Sequence, residues 1–428
     1  MRILMLSQFY PPIIGGGAKH VQSLSTELVS RGHDVVVVTL WHEGLEEFER
    51  VQGVRIYRIH SSLQQLPWLF KDNGRQYAPP FPDPGIMLAL RRIIAREQPE
   101  IVHAHNWLVY SFLPLKTWSG ARLVVTLHNY SLVCAKTLFL HHGTACDGPG
   151  FMKCFSCAAQ FYGPIKGMPT VLANRAMSRL SRQTVDMFLP VSQAVAVGSG
   201  LVGSPLPFQV IPNFLPDDLP DGQEDVQSYL TQLPAEGYLL FVGALGRLKG
   251  VDILLHAYAD LTNAPPLVLI GFDTPEWSAL ADRCPANVLV LKNWPSYAVM
   301  QAWRRSMLAL APSVWAEPCA TTVMEAMLME RPVIASRIGG MIDLVDDGKT
   351  GLLVRPGDAV ALGEAIEQLL QNPDLRYHMG EAARLKVLEF QAARVVPRIE
   401  QVYKKLLLKE QIAQEAGLHG DTVGANHA

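Results

Sequence analysis

Leu308 to Gly340 is the stretch that most narrows what this chain can fold into. A short apolar run, Leu308 to Ala311, reads as a buried strand stopped by Pro312. A loop carrying Trp315, Glu317 and Pro318 follows, then the nearly all-apolar helix Val323–Met329, a second strand at Val333–Ala335, and the turn Gly339-Gly340. A helix apolar on almost every face belongs in an interior. Yet this one carries Glu325 in its first turn, and an unpaired buried charge is expensive. Glu317 stands eight residues earlier, in a loop at the carboxyl end of a strand, where open α/β sheets bind ligands. Two carboxylates at such a mouth suit paired hydroxyls, because each accepts several hydrogen bonds at once. A plainer reading stands beside this. Thr322 and Glu325 match a capping box, in which the glutamate serves the helix start, and Glu317 is then an ordinary solvated carboxylate.

With 428 residues the chain has length for two or three domains, each with a sizeable core. Hydrophobic residues at 49% against 18% charged describe a globular chain and speak against long disorder. The net charge of −2 conceals an asymmetry. Residues 1–205 carry 19 Lys and Arg against 12 Asp and Glu, a net of +7, and residues 206–428 carry 18 against 27, a net of −9. A basic half favours an anionic partner, a lipid surface or lipid-linked phosphate before nucleic acid. Two oppositely charged domains attracting each other explain the split equally well. No apolar run reaches membrane-span length, and Ser7 and Gln8 interrupt the start before a signal-peptide core forms. The expected location is cytoplasmic, with peripheral contact at an anionic membrane surface and no nucleic-acid partner.

Residues 1–40 read as a βαβ unit: Ile3–Leu6, the loop Gly15-Gly16-Gly17, a helix with Val21, Leu24 and Leu28 on one face, and the strand Val35–Val38. The glycines lack dinucleotide-fingerprint spacing, but glycines before a helix can bare N–H groups to a phosphate or sugar; a tight turn is the alternative. Residues 61–84 hold five prolines with Trp68, Phe70, Tyr77 and Phe81, and read as a loop, either plain surface or a mobile acceptor-side segment. An amphipathic helix is expected over Gly85–Glu97. His105 and His128 each close a strand. Cys134, Cys146, Cys154 and Cys157, four of the six cysteines, form a Cys-rich insertion (134–157) dense enough for a structural zinc; disulfides or packing thiols are the alternatives.

Residues 187–191 and 208–211 read as strands, and 212–236 as a Pro- and Asp-rich linker. The pattern then restarts: strand Tyr238–Val242, the loop from Gly243 through Arg247, Lys249 and Gly250, and a helix. Glycines, a helix N-terminus and two cations make this the natural diphosphate site. Strands at Leu267–Ile270 and Val288–Leu291 follow, with Phe272 and Trp294 as candidate neighbours of a base. A last helix is expected from Pro397, with Ile399, Val402, Tyr403 and Leu406 on one face, and a disordered tail over 409–428.

Glu317-Pro318 with Glu325 resembles the E-P-x-x-x-x-x-x-E signature of family 4 of the retaining nucleotide-sugar glycosyltransferases. Thr126-Leu-His128 resembles that family's T-x-H, Val210-Ile-Pro-Asn213 its V-I-P-N, and Asp347-Gly348 with Gly351 its closing D-G-x-x-G turn. The resemblance implies an α/β GT-B fold: two Rossmann-like parallel-sheet domains facing across a cleft. Residues 1–205 would form the acceptor-side domain, 206–396 the donor domain, and 397–408 a helix crossing back to the first. It implies a retaining hexosyltransferase moving a sugar from a UDP- or GDP-sugar to a hydroxyl of a sugar, lipid-linked or small-molecule acceptor in glycoconjugate synthesis, with no catalytic cofactor. Glu317 would hold the donor sugar and Glu325 the ribose diol. Gly16, Gly17, His128 and, more remotely, His105 would lie at the donor's reacting end. The usual G-R-L-x-x-x-K-G loop keeps Lys249 but has Ala244 at the Arg position, so Arg247 is expected to supply the second cation. Cys319 and Ala320 also depart from the usual residues. A nucleotide-sugar 2-epimerase and a non-catalytic nucleotide-sugar-binding protein share these features.

Overall fold

The structure is a computed structural model describing residues 1–13, 15–65, 78–218, 226–235 and 237–423. Trp68, Phe70 and Tyr77 of the proline-rich loop lie outside the described residues. Runs of β-branched and aliphatic residues build two sheets. In the first, β1 (Arg2–Leu6), β2 (Asp34–Leu40), β3 (Phe48–Val51), β4 (Val54–Ile59), β5 (Ile101–Ala104) and β6 (Arg122–Leu127) are joined, past a small hairpin of β7 (Leu140–His141) and β8 (Thr144–Ala145), by β9 (Met187–Pro190). Its order is β3-β4-β2-β1-β5-β6-β9. The second contains β10 (Leu239–Leu245), β11 (Leu267–Asp273), β12 (Val288–Lys292), β13 (Leu308–Ala311), β14 (Val333–Ser336) and β15 (Gly351–Val354), ordered β12-β11-β10-β13-β14-β15. All pairings within these two sheets are parallel except β3 with β4. Helices cover both faces, so strands such as β2, buried from Val35 to Leu40, read as continuous apolar runs.

Strand order reverses between β1 and β5 in the first sheet and between β10 and β13 in the second. At such switch points neighbouring loops leave in opposite directions and open a crevice at the carboxyl ends. The expected helix over 85–97 is present as Pro84–Glu97, started by Asp83, whose carboxylate accepts the Ile86 N–H at 3.0 Å.

The domain limits differ from those read in the sequence. Phe208 bridges Phe188 of β9, and Ile211 and Phe214 are buried in the first domain's core, so that domain runs to about 214 rather than 205. The terminal helix starts at Ala392, not Pro397, which sits inside its early turns. Its apolar face, Val395, Val396, Ile399, Val402, Tyr403 and Leu406, completes the first domain's core. The two chain crossings meet: the Leu215 N–H donates to the Phe390 carbonyl and the Ala392 N–H to the Leu215 carbonyl, both at 2.9 Å. The sequence reads 409–428 as a disordered tail. The helix continues to Val423, and of this stretch Lys409 to Ala416 is rich in Lys, Glu, Gln and Ala, strong helix formers; 424–428 lie outside the described residues. No described helix is long and apolar enough to cross a membrane.

Candidate active site

At the second sheet's switch point, the turn after β10 packs against the loop after β13. Gly250 has φ +71°, and a Cβ there would lie 1.9 Å from the Pro312 carbonyl oxygen, so glycine alone permits this approach. The Val314 N–H donates to the Leu248 carbonyl at 3.1 Å, locking the loops together. Glu317 is thereby carried to Lys249: Nζ donates to Oε1 at 2.8 Å. Ser313 Oγ donates to the same oxygen. Glu317 is only 5% exposed, a burial that its cationic and hydroxyl partners make tolerable. From the other side Gly339 and Gly340 close on the loop. A Cβ on Gly339 would lie 2.5 Å from the Glu317 carbonyl, and one on Gly340 2.1 Å from that of Pro318.

Glu325 is half-buried on the helix Thr321–Leu328, whose N-cap is Ala320 with no side-chain cap. The capping-box reading therefore fails, since the helix starts elsewhere. Burial pushes this carboxyl up to about 7, while the Lys19 ammonium and the Trp303 indole act in the opposite direction. Lys19 belongs to the helix Gly16–Ser30 of the first domain, so the two domains meet electrostatically across the cleft. A Cβ at Gly16 or Gly17 would meet nothing within 4 Å. Neither space nor backbone demands glycine there, and the bare backbone opens that helix's N-terminus to a ligand.

Facing this from the first sheet's switch point are three imidazoles. His105 follows β5, His128 follows β6, and His20, which the sequence reading missed, lies one turn into the first helix. His105 Nδ1 and His128 Nε2 are 3.0 Å apart, and the His20 ring meets that of His128 at 4.8 Å between centroids. Burial holds His128 at about 4 and His20 and His105 well below the usual imidazole range, so all three are neutral at pH 7. Behind them His103 bridges Tyr403 Oη (2.6 Å) and Thr126 Oγ1 (2.7 Å). Asn213 of the V-I-P-N segment faces His128 and raises its basicity slightly against burial. Tyr130 Oη donates to the Ala316 carbonyl at 3.1 Å, tying the first domain to the Glu317 loop. The signal for His20 was its position one helical turn after the glycines.

Arg247 stands apart. It heads the short turn Arg247–Lys249, its N–H donates to Glu276 at 2.9 Å, and its exposed guanidinium pairs with no carboxylate among the described residues. Ala244 is in register with Phe272 inside the sheet, before the turn begins. Phe272 is exposed, whereas Trp294 packs edge-on against Tyr229 at 5.2 Å.

Cys134, Cys146, Cys154 and Cys157 line one small pocket together with His141 and Lys153. Burial and the neighbouring thiols of Cys157 and Cys146 raise the Cys134 thiol, and none of the six cysteines forms a disulfide. Among the described residues, His20, His105 and His128 are grouped closely enough to share one metal ion, with ligand atoms within 4.8 Å of one another.

Two family profiles divide the chain as the sheets do: "Glycosyltransferase Family 4" matches residues 14–219 and "Glycosyl transferases group 1" residues 231–386. The glycogen synthase of Mycobacterium tuberculosis is 25% identical over 424 residues, 94% of each chain. The structure of sucrose-phosphate synthase from Thermosynechococcus elongatus superposes with a TM-score of 0.75 at 21% identity, covering 95% of this chain and 99% of the other. That of Anabaena HepE in complex with UDP-glucose gives 0.67 at 19%, with 95% and 99% covered. With a profile on each domain and this architecture, the chain belongs to glycosyltransferase family 4 and has the GT-B fold.

Proposed function

We propose that the chain transfers a hexose from a nucleoside-diphosphate sugar, UDP- or GDP-linked, to an acceptor hydroxyl with retention at the anomeric carbon. The Lys249–Glu317 pair at the second sheet's switch point carries this reading. An ammonium has three donors, so Lys249 can keep Glu317 and still bind a phosphate oxygen. The N–H groups of the short turn and exposed Arg247 would add to it. Such preorganised positive charge stabilises the departing diphosphate. Glu317 would accept from the donor sugar's hydroxyls and Glu325 from the ribose diol. UDP-glucose in the similar HepE structure supports the donor class.

Across the cleft the donor would meet neutral imidazoles, not a carboxylate. His20, His105 and His128 suit hydrogen bonding to sugar hydroxyls rather than covalent attack on carbon. That chemistry favours front-face transfer, in which the acceptor hydroxyl approaches on the leaving-group side and a phosphate oxygen takes its proton. Domain closure about the paired crossings at Leu215 and Gln391 would bring acceptor to donor, lowering the entropic part of the barrier.

Thermal-shift screening of UDP- and GDP-sugars, then product analysis by NMR with the stabilising donor, tests the proposal. A retained anomeric linkage is expected. An inverted one overturns the mechanism, isomerised donor without acceptor assigns a 2-epimerase, and donor binding without turnover assigns a binding protein.

A further inference from the structure

The crossover from β6 to β9 contains a helical hairpin, Phe151–Tyr162 and Pro164–Thr184, that the donor site does not use. The helices pack closely: a Cβ on Gly167 would lie 2.6 Å from the Ala158 backbone. The longer helix buries Gly167, Val171, Asn174, Met177 and Ser181 along one face. Its opposite face repeats the same three- and four-residue spacing with apolar side chains left in solvent. Ile165 is 87% exposed, Met168 54%, Leu172 51% and Leu180 38%. Phe151 and Met152, at 61% and 74%, extend the patch from the first helix, and the Arg175 guanidinium lies 5.2 Å over the Phe151 ring. Contiguous apolar surface of this kind marks an interaction site.

Its charge identifies the partner. From Gly148 to Val185 the chain carries Lys153, Lys166, Arg175, Arg179 and Arg182 and no carboxylate. The acids next to it in sequence are paired: Asp147 with the hairpin's own Lys153, and Asp186 with Lys116 and Arg122. At 100° per residue, Arg175 falls on the flank of the exposed stripe, and Arg179 continues the stripe itself two turns beyond Leu172. An apolar stripe that gives way to arginines along its length and at its edge is the pattern of a helix lying in the headgroup boundary of a bilayer.

We propose that the outer face of this hairpin docks the protein on an anionic lipid surface, with Ile165, Met168 and Leu172 entering the acyl boundary and Arg175 and Arg179 meeting lipid phosphates. The proposal is independent of the sugar-transfer reading. It places the membrane on the first domain, the half that would select the acceptor.

Vesicle co-sedimentation of the full chain is the test, using phosphatidylcholine alone and phosphatidylcholine mixed with phosphatidylglycerol. Wild type should bind the mixed vesicles and be released by salt. R179Q should weaken binding by about fivefold, the worth of one cation near a charged bilayer. I165E/L172E should abolish it, with circular dichroism and thermal midpoint unchanged because both positions are exposed. Absence of wild-type binding, or full binding by I165E/L172E, overturns the proposal. Light scattering on the same samples covers the other occupant: a wild-type dimer that I165E/L172E converts to monomer would assign the face to a second copy and likewise overturn it.

Discussion

Glu325 shows how burial of a single side chain costs stability as pH rises. The folded protein holds its proton more tightly than the unfolded chain, up to about 7. Folding therefore takes up a proton between the ordinary carboxylate range and about 7, and stability falls as pH rises through that window. Glu325→Gln removes the ionised form. It should raise unfolding free energy at pH 8 by about 2–3 kcal/mol, leave it unchanged at pH 4, and weaken donor binding by removing an acceptor oxygen. Destabilisation at pH 8 in a denaturant titration would show that Lys19 already compensates the charge. The neighbouring pair gives a kinetic contrast. Lys249→Ala should lower kcat about 10²–10³-fold, the usual cost of removing one stabilising donor, while Arg247→Ala, lost from an exposed position, should act mainly on KM. Equal losses in kcat would show that Arg247 swings in to replace the cation missing at Ala244. That Glu317 and Lys249 would come together was legible because their positions are tied to strand ends. The direction of the Arg247 side chain was not, since three residues beyond the family's position it points wherever the turn sends it.

At the scale of elements, the strands and most helices were legible because periodicity reports burial directly. What periodicity cannot show is which surface an apolar face meets. Tyr403 was correctly placed on the inner face of the terminal helix, but its hydroxyl's partner, His103 on β5, lies 300 residues away in sequence. Tyr403→Phe should cost about 1–3 kcal/mol by leaving His103 Nδ1 buried without a partner, measured by urea unfolding. A loss below that range would mean the imidazole turns to another group. The cysteine segment poses a similar problem. Sequence density put four thiols together and the fold lines one pocket with all of them, yet density does not say whether they hold metal. Purified protein should contain about one zinc per chain if the segment is a structural site. Cys154→Ala/Cys157→Ala should then release it and lower the thermal midpoint; zinc-free protein of unchanged stability would leave them as packing thiols.

For the molecule as a whole, the order of the chain and the order of its cores do not coincide. The final helix belongs by sequence to the donor half and by packing to the first domain, where Ala392, Val395, Val396, Ile399, Val402, Tyr403 and Leu406 are buried against β1, β2, β5 and the first helix. The two-domain plan could be read from a βαβ pattern that starts twice. That the last helix crosses back came with the family resemblance; the meeting of the two crossings did not, because Leu215 and Gln391 carry no local signal that they pair. Six of those side chains are large, and at about 1.5–3 kcal/mol each they contribute roughly 9–18 kcal/mol, as much as the whole stability of an ordinary domain. Ending the chain after Gln391 should therefore unfold the first domain while the second, whose strands and core all lie between Leu215 and Phe390, stays folded. Limited proteolysis should degrade residues 1–214 and spare the rest, and a donor that reaches the second domain alone should still raise its thermal midpoint. If the truncated chain instead unfolds in a single transition at the full-length midpoint, the terminal helix is an accessory to the first core and not part of it.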